Sequence, residues 1–104
     1  MYQLFLSVDP DVPSAVTVSN ITQTSVTVSW SVGETQVVNS TVVYYKATDS
    51  TSATWSSSPV TDTATTHTVT SLEPGTEHQF YVTIESYGKT STSKTVTATT
   101  GMMR

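Results

Sequence analysis

The chain has 104 residues, a formal net charge of -4 and a sequence isoelectric point near 4.7. This length allows one domain with an adequate core, and the 4 scattered basic residues argue against a nucleic-acid partner and against attraction to an anionic membrane. The sequence contains no cysteine and no apolar run long enough to cross a bilayer, which excludes a disulfide framework, a thiolate metal site and a membrane-spanning helix within it.

The first twelve residues are predicted to be a linker or the end of a preceding domain. Residues 2–8 are mildly apolar but lack the basic start of a signal peptide. Residues 9–13 carry two prolines and two acids, which favours an extended linker. We therefore expect the domain to cover residues 13–100, with 101–104 as a tail. We expect a monomeric module, unless Leu4, Phe5 and Leu6 are exposed together and favour dimers.

From Val16 onward, apolar residues alternate with polar ones in seven segments that turn residues separate. We predict strands at Val16–Ser19, Val26–Ser31, Val37–Lys46, Ala53–Ser56, Thr65–Leu72, His78–Glu85 and Thr95–Thr99. The fourth strand is expected to end at the Ser57-Ser58-Pro59 turn. No segment has the periodicity of a helix, so the sequence predicts an all-β sandwich.

The predicted centre of the sandwich is the strand that follows the Pro74-Gly75 turn. Pro74 has a fixed φ and no amide donor, and Gly75 tolerates a positive φ, so this pair ends one strand and turns the chain. The residues from His78 onward then alternate as in a long half-buried strand. We expect the core to contain Trp30, Tyr45, Phe80 and Val82.

Four sequence patterns occur in a fixed order: Pro13-x-x-Val16-x-Val18, Ser25-Val26-Thr27-Val28-Ser29-Trp30, Val43-x-Tyr45 and Leu72-x-Pro74-Gly75-Thr76-Glu77. In this order and spacing they resemble a fibronectin type III domain, over roughly Pro13 to Thr100. The Ser- and Thr-rich character is most similar to repeats in the ectodomains of receptor-type tyrosine phosphatases. The resemblance implies a seven-stranded immunoglobulin-like sandwich, with the first, second and fifth strands in one sheet and the other four in the second.

One departure from the family pattern lies at His78. The family has a tyrosine there, and that tyrosine hydrogen-bonds back to the preceding turn to form the tyrosine corner. An imidazole is shorter, and it can donate only from the nitrogen that carries the proton. We therefore expect some loss of stability at this corner.

The sequence shows no catalytic or metal-binding pattern. It has no Gly-x-Ser-x-Gly elbow and no glycine-rich phosphate loop. A metal site needs three or four converging ligands, whereas His67 and His78 fall on strands that the resemblance puts in opposite sheets. We predict a domain that is not an enzyme and that uses no cofactor, metal or small-molecule substrate.

Two N-glycosylation sequons lie at strand–loop junctions, Asn20-Ile21-Thr22 and Asn39-Ser40-Thr41. We predict that Asn20 or Asn39 carries a glycan when the protein is secreted. The alternative is that the sequons are unused, because a chain this rich in Ser and Thr produces them by chance.

Three side chains are candidates for contact with a partner protein: Tyr87, Lys89 and Trp55. Tyr87 and Lys89 fall in the loop between the last two predicted strands, and binding residues concentrate on such loops. Large aromatic side chains with few rotors also suit interfaces. The alternatives are that Tyr87 packs its own loop and that Trp55 packs across neighbouring side chains.

These features predict a non-catalytic extracellular module that serves as a spacer and as a protein-interaction or adhesion unit of a larger cell-surface or matrix protein. The expected partners are a protein ligand or neighbouring fibronectin type III domains. Two alternatives stay open. One is a spacer of a secreted polysaccharide-degrading enzyme, which the neighbouring sequence would decide. The other is an engineered binding scaffold, whose loops at one pole would carry clustered aromatic residues.

Overall fold

The computed structural model describes residues 13–33, 38–49, 54–61 and 64–102, so the predictions for residues 1–12 lie outside the described part. The described residues form eight strands: β1 (Ser14–Ser19), β2 (Val26–Ser31), β3 (Ser40–Ala47), β4 (Ser56–Val60), β5 (Thr66–Val69), β6 (Glu77–Ser86), β7 (Lys89–Thr92) and β8 (Val96–Thr99). Among these residues there is no long apolar helix that could cross a bilayer.

The strands form two antiparallel sheets that pack face to face. One sheet has the order β1-β2-β5, and the other has the order β4-β3-β6-β7, with β8 also paired to β6. This arrangement confirms the predicted all-β sandwich and the predicted division of the strands between the sheets.

The last predicted strand, Thr95–Thr99, corresponds to β8, whereas β7 lies between the last two predicted strands, where a loop was expected, and raises the number of strands from seven to eight. Thr92 of β7 pairs with Thr83, and Val96 of β8 pairs with Phe80. Residues 93–95 between these pairs therefore face only two residues of β6, Tyr81 and Val82. This extra residue is a β-bulge. The Val82 amide donates to Ser93 Oγ over 2.9 Å, and the Ser93 amide donates to the Val82 carbonyl over 2.8 Å. The serine hydroxyl thus satisfies a backbone donor of β6 where the regular ladder is interrupted.

The fourth strand lies further along the chain than predicted. Pro59 was expected to end it, but Pro59 lies inside β4, opposite Val42 of β3. The physical reason is that β4 is an edge strand, where a residue without an amide proton can face away from the sheet. The fifth strand is shorter than predicted, because Ser71 has a left-handed φ of 61° that turns the chain after Val69.

Strand β6 carries the core on every second residue. Its side chains alternate between exposed or half-buried and buried along all ten positions, with Phe80, Val82 and Ile84 almost fully buried. Full burial of one such apolar side chain is worth roughly 1.5–3 kcal/mol. The central core cluster comprises Val26, Val28, Trp30, Val43, Val69, Leu72, Phe80, Val82 and Ala98, with Tyr45 packed against it.

The turn before β6 is hydrogen-bonded to the residues that follow β8. Gly75 adopts a left-handed φ of 59°, which favours glycine. A Cβ added there would also lie 2.8 Å from Met102 Sδ, so a larger residue would clash with that side chain. The Thr76 amide donates to Thr100 Oγ1 over 3.0 Å, and the same hydroxyl donates to the Glu73 carbonyl. Thr100 therefore supplies hydrogen bonds to this turn, which in the family pattern receives one from the corner tyrosine.

The two histidines lie in opposite sheets and have different surroundings. His78 is only 3% exposed, and its Nδ1 finds no hydrogen-bond partner among the described residues. His67 Nε2 lies 2.6 Å from Ser58 Oγ, which joins β5 of one sheet to β4 of the other. One imidazole thus buries an unpaired polar atom, and the other connects the two sheets.

Replacing each histidine with phenylalanine should change stability in opposite directions. We expect His78→Phe to raise the free energy of unfolding by about 1 kcal/mol, since it removes a buried nitrogen that lacks a partner. We expect His67→Phe to lower it by about 1 kcal/mol, since the Ser58 hydroxyl loses its partner. Urea unfolding of the two variants tests this, and a change of the same sign in both would contradict it.

Candidate functional site

A two-residue hairpin joins β6 to β7 and presents an aromatic side chain. Tyr87 and Gly88 have φ values of 51° and 82°, the pattern of a type I′ turn. Asn, Asp and Gly usually occupy the first position of this turn, because they adopt positive φ at low cost. Tyr87 is a bulky residue in that position, and its side chain is 78% exposed.

Asn39, the residue directly before β3, holds this turn by hydrogen bonds. The Tyr87 amide donates to Asn39 Oδ1 over 2.6 Å, and the Asn39 amide donates to the Glu85 carbonyl over 2.8 Å. The donor on Tyr87 requires an acceptor, which fixes the orientation of the Asn39 amide group. Ser40 Oγ also donates to Glu85 Oε1 over 3.1 Å. We call Asn39, Tyr87, Gly88 and Lys89 the hairpin pole.

The hairpin pole combines backbone strain with an exposed aromatic ring. A non-glycine residue in the left-handed region costs on the order of 1 kcal/mol or more, and such outliers cluster at binding and switch sites. Lys89, exposed at the first position of β7, follows directly. A large exposed ring two residues before an exposed lysine, on a turn that β6 and Asn39 hold, is suited to contact with another macromolecule.

A second aromatic group lies on the outer face of the five-stranded sheet. Tyr44 and Tyr81 are cross-strand partners whose rings stack with centroids 4.9 Å apart. Trp55 meets Tyr81 edge-on at 4.8 Å, and Lys46 Nζ lies 4.9 Å from the centre of the Trp55 ring. We call these four residues the aromatic row. They are half-buried against one another, so the row stabilises the face of the sheet by aromatic and cation–π contacts.

Packing in the aromatic row changes the acidity of one phenol. Burial raises the pKa of Tyr81 above its ordinary value of 10.0, and the neighbouring Tyr44 adds to this by charge repulsion. The raised pKa means that the folded state favours the neutral phenol. Below pH 10 Tyr81 is neutral in both states, whereas at higher pH the unfolded chain ionises first, so stability is lost as the pH rises through the folded pKa.

Alkaline titration of tyrosine variants should reveal this shift. We expect Tyr81→Phe to remove an ionisation step above pH 10 from the absorbance titration of the folded domain, and to weaken the loss of stability at high pH. Tyr44→Phe should move the Tyr81 step to lower pH without bringing it to 10, because burial is the larger cause. A Tyr81 step at or below pH 10 in the unmodified domain would contradict this assignment.

The structure brings some of the predicted site residues together and separates others. Tyr87 is hydrogen-bonded to Asn39, and Lys89 begins β7 directly after the same turn, whereas Trp55 lies on the sheet face against Tyr81. Tyr81 precedes Ser86 by five residues of extended strand, which is roughly 17 Å. Asn20 is exposed after β1, with a φ of 47°, at the opposite end of the sandwich. The two sequons thus lie at opposite poles.

Sequence reasoning missed two polar pairs. The Asn39–Tyr87 bond joins residues that are 48 positions apart, and the Ser58–His67 bond depends on how the two sheets meet. The Tyr-Gly dipeptide between alternating segments was the available signal for the tight hairpin, but tyrosine is a weak indicator of such a turn.

Two surface depressions are lined by residues outside the hairpin pole. One of about 390 Å³ is lined mainly by apolar atoms of Pro13, Ser14, Ala15, Val16, Lys94 and Val96. The other, of about 300 Å³, lies beside His78 and Glu73. Neither is lined by the Ser58–His67 pair. Within the described ranges, no group of three or more His, Asp or Glu side chains could hold a metal ion.

Comparison with known families agrees with the β-sandwich fold. A model of the fibronectin type III domain matches residues 11–99. The chain belongs to the fibronectin type III family. None of the curated proteins compared with the chain matches it significantly.

Solved structures show the same fold. A protein described as a myokine is 28% identical, with a TM-score of 0.79, and the match covers 89% of this chain and 99% of that one. Titin domains A168–A170 are 26% identical, with a TM-score of 0.75, and the match covers 89% of this chain and 32% of theirs. The FN1–FN3 domains of chicken CNTN1 share only the fold, at 22% identity and a TM-score of 0.77 over 88% of this chain and 32% of theirs.

Removing the Asn39 acceptor should loosen the hairpin. We expect Asn39→Ala to lower the free energy of unfolding by about 1 kcal/mol, because the Tyr87 amide loses its partner. Asn39→Asp is the matched control, since the carboxylate keeps an oxygen in the same place. Urea unfolding of both variants measures the effect, and equal losses in the two would show that the Oδ1 bond does not stabilise the turn.

Proposed function

We propose that this fibronectin type III domain is a non-catalytic extracellular module of a larger protein, which spaces its neighbours and binds a protein partner through the hairpin pole. The observation that carries the proposal is Tyr87, which is 78% exposed and strained at a φ of 51°. Hydrogen bonding to Asn39 fixes the turn, so the ring is presented at low entropic cost.

Three further observations support this role. The matched titin and CNTN1 structures contain several domains, and this chain covers 32% of each. Asn20 and Asn39 are both accessible at strand–loop junctions, as acceptors of N-glycans must be. The outer faces of β2 and β5 carry hydroxyl groups rather than charges, which suits a spacer that contacts its surroundings weakly. The closer resemblance to receptor-type tyrosine phosphatase repeats stays a prediction.

Secretion and surface binding test the two parts of the proposal. For the extracellular part, we expect the intact mass of protein secreted from a eukaryotic host to drop by the size of a glycan after enzymatic removal of N-glycans. An unchanged mass would contradict extracellular processing of this chain.

For the contact part, beads that display many copies of the domain are applied to cell monolayers. We expect Tyr87→Ser to reduce bead binding by about tenfold, the loss typical of an aromatic hot spot. Met102→Ser is the matched control, because Met102 is 74% exposed at the opposite pole. Equal binding by the Tyr87→Ser variant and the unmodified domain would overturn the proposed contact.

A further inference from the structure

We infer that Asn39 is a regulatory glycosylation site. A glycan on Asn39 covers the Tyr87 ring and blocks binding at the hairpin pole, whereas the domain without this glycan leaves the ring exposed. This inference rests on the proposed role of Tyr87 as the contact residue. It arises because the structure joins two residues that the sequence singles out for different reasons, a sequon asparagine and an exposed aromatic ring.

The distance between the two residues carries the argument. Asn39 Oδ1 lies 2.6 Å from the Tyr87 amide nitrogen. The glycan is attached to Nδ2, which is bonded to the same carbon as Oδ1. The first sugar is therefore held beside the backbone of the turn that carries the 78% exposed Tyr87 ring. A branched N-glycan of several sugar rings is larger than one phenol side chain, so it covers the approach to that ring.

The modification leaves the hydrogen bond to the turn intact. In the group transfer, Nδ2 loses one proton and forms a bond to the anomeric carbon of a sugar carried on a lipid diphosphate. The bond between sugar and phosphate breaks, and the lipid diphosphate leaves with the electron pair. Oδ1 keeps its lone pairs and still accepts from Tyr87. The glycan therefore controls access to Tyr87 without unfolding the hairpin.

The second sequon provides an internal comparison. Asn20 is exposed after β1, at the opposite end of the sandwich from Tyr87. A glycan at Asn20 has the same chemistry but cannot reach the hairpin pole. Any general effect of glycosylation on solubility or stability is therefore separable from the covering of Tyr87.

Nitration of tyrosine in the secreted protein measures this covering without knowledge of the partner. Four forms are compared: the unmodified sequence, Asn20→Asp, Thr41→Val and the enzymatically deglycosylated protein. Thr41→Val removes the Asn39 sequon but keeps the Asn39 amide. The deglycosylating amidase adds water and converts the glycosylated Asn39 to an aspartate, whose carboxylate keeps an acceptor for Tyr87. Tetranitromethane is the probe, and peptide mass spectrometry gives the rate at Tyr87, with the half-buried Tyr44 as reference.

We expect the Tyr87 nitration rate to be at least about fivefold lower in protein glycosylated at Asn39 than in Thr41→Val, and to recover after deglycosylation. Asn20→Asp should behave like the unmodified sequence. Equal Tyr87 rates with and without the Asn39 glycan would overturn the inference, as would occupancy of Asn20 alone, and both would leave the proposed function standing. Absence of glycans from both Asn20 and Asn39 would overturn the inference and the extracellular assignment together.

Discussion

The alternation of side chains along β6 is the constraint on which the rest of the domain depends. This strand pairs with β3 on one side and with β7 and β8 on the other, and it places Phe80, Val82 and Ile84 in the core. A shift of one residue in its register would turn every one of these side chains outward. The Ser93 bulge keeps the hydrogen bonding of β6 intact where its last partner changes register. The rigid end of β6 in turn fixes the Tyr87 hairpin.

The part of the fold that could be predicted is the part set by local pattern. The strict alternation in β2 and β6 was enough to identify buried strands, and the Pro74-Gly75 pair was enough to place the turn before β6. The position of β4 was wrong because Pro59 is acceptable only on an edge strand, and a single sequence does not show which strands are edges. The bulge and the Asn39–Tyr87 bond were missed for a related reason, since both depend on pairing between distant segments.

The two outer faces of the sandwich explain the unusual composition. On the three-stranded sheet, Thr27 and Thr68 are hydrogen-bonded through their hydroxyls over 2.9 Å, and Ser29 and Thr66 over 3.1 Å. These pairs keep the face polar with few charges and suit the strand conformation. The five-stranded sheet instead carries the aromatic row, whose rings cover one another. The exposed Tyr87 ring, carried on a backbone with a φ of 51°, is therefore the feature least explained by folding alone, and this is why we assign the contact to it.

Native-state hydrogen exchange of backbone amides tests the central role of β6 most directly. If β6 organises both the core and the hairpin, its central amides, such as that of Val82, should exchange only through global unfolding and should be the slowest in the domain. Amides of the edge strand β4 should exchange faster. Central β6 amides that exchange as fast as those of β4 would contradict the account, because the strand would then open without unfolding the rest.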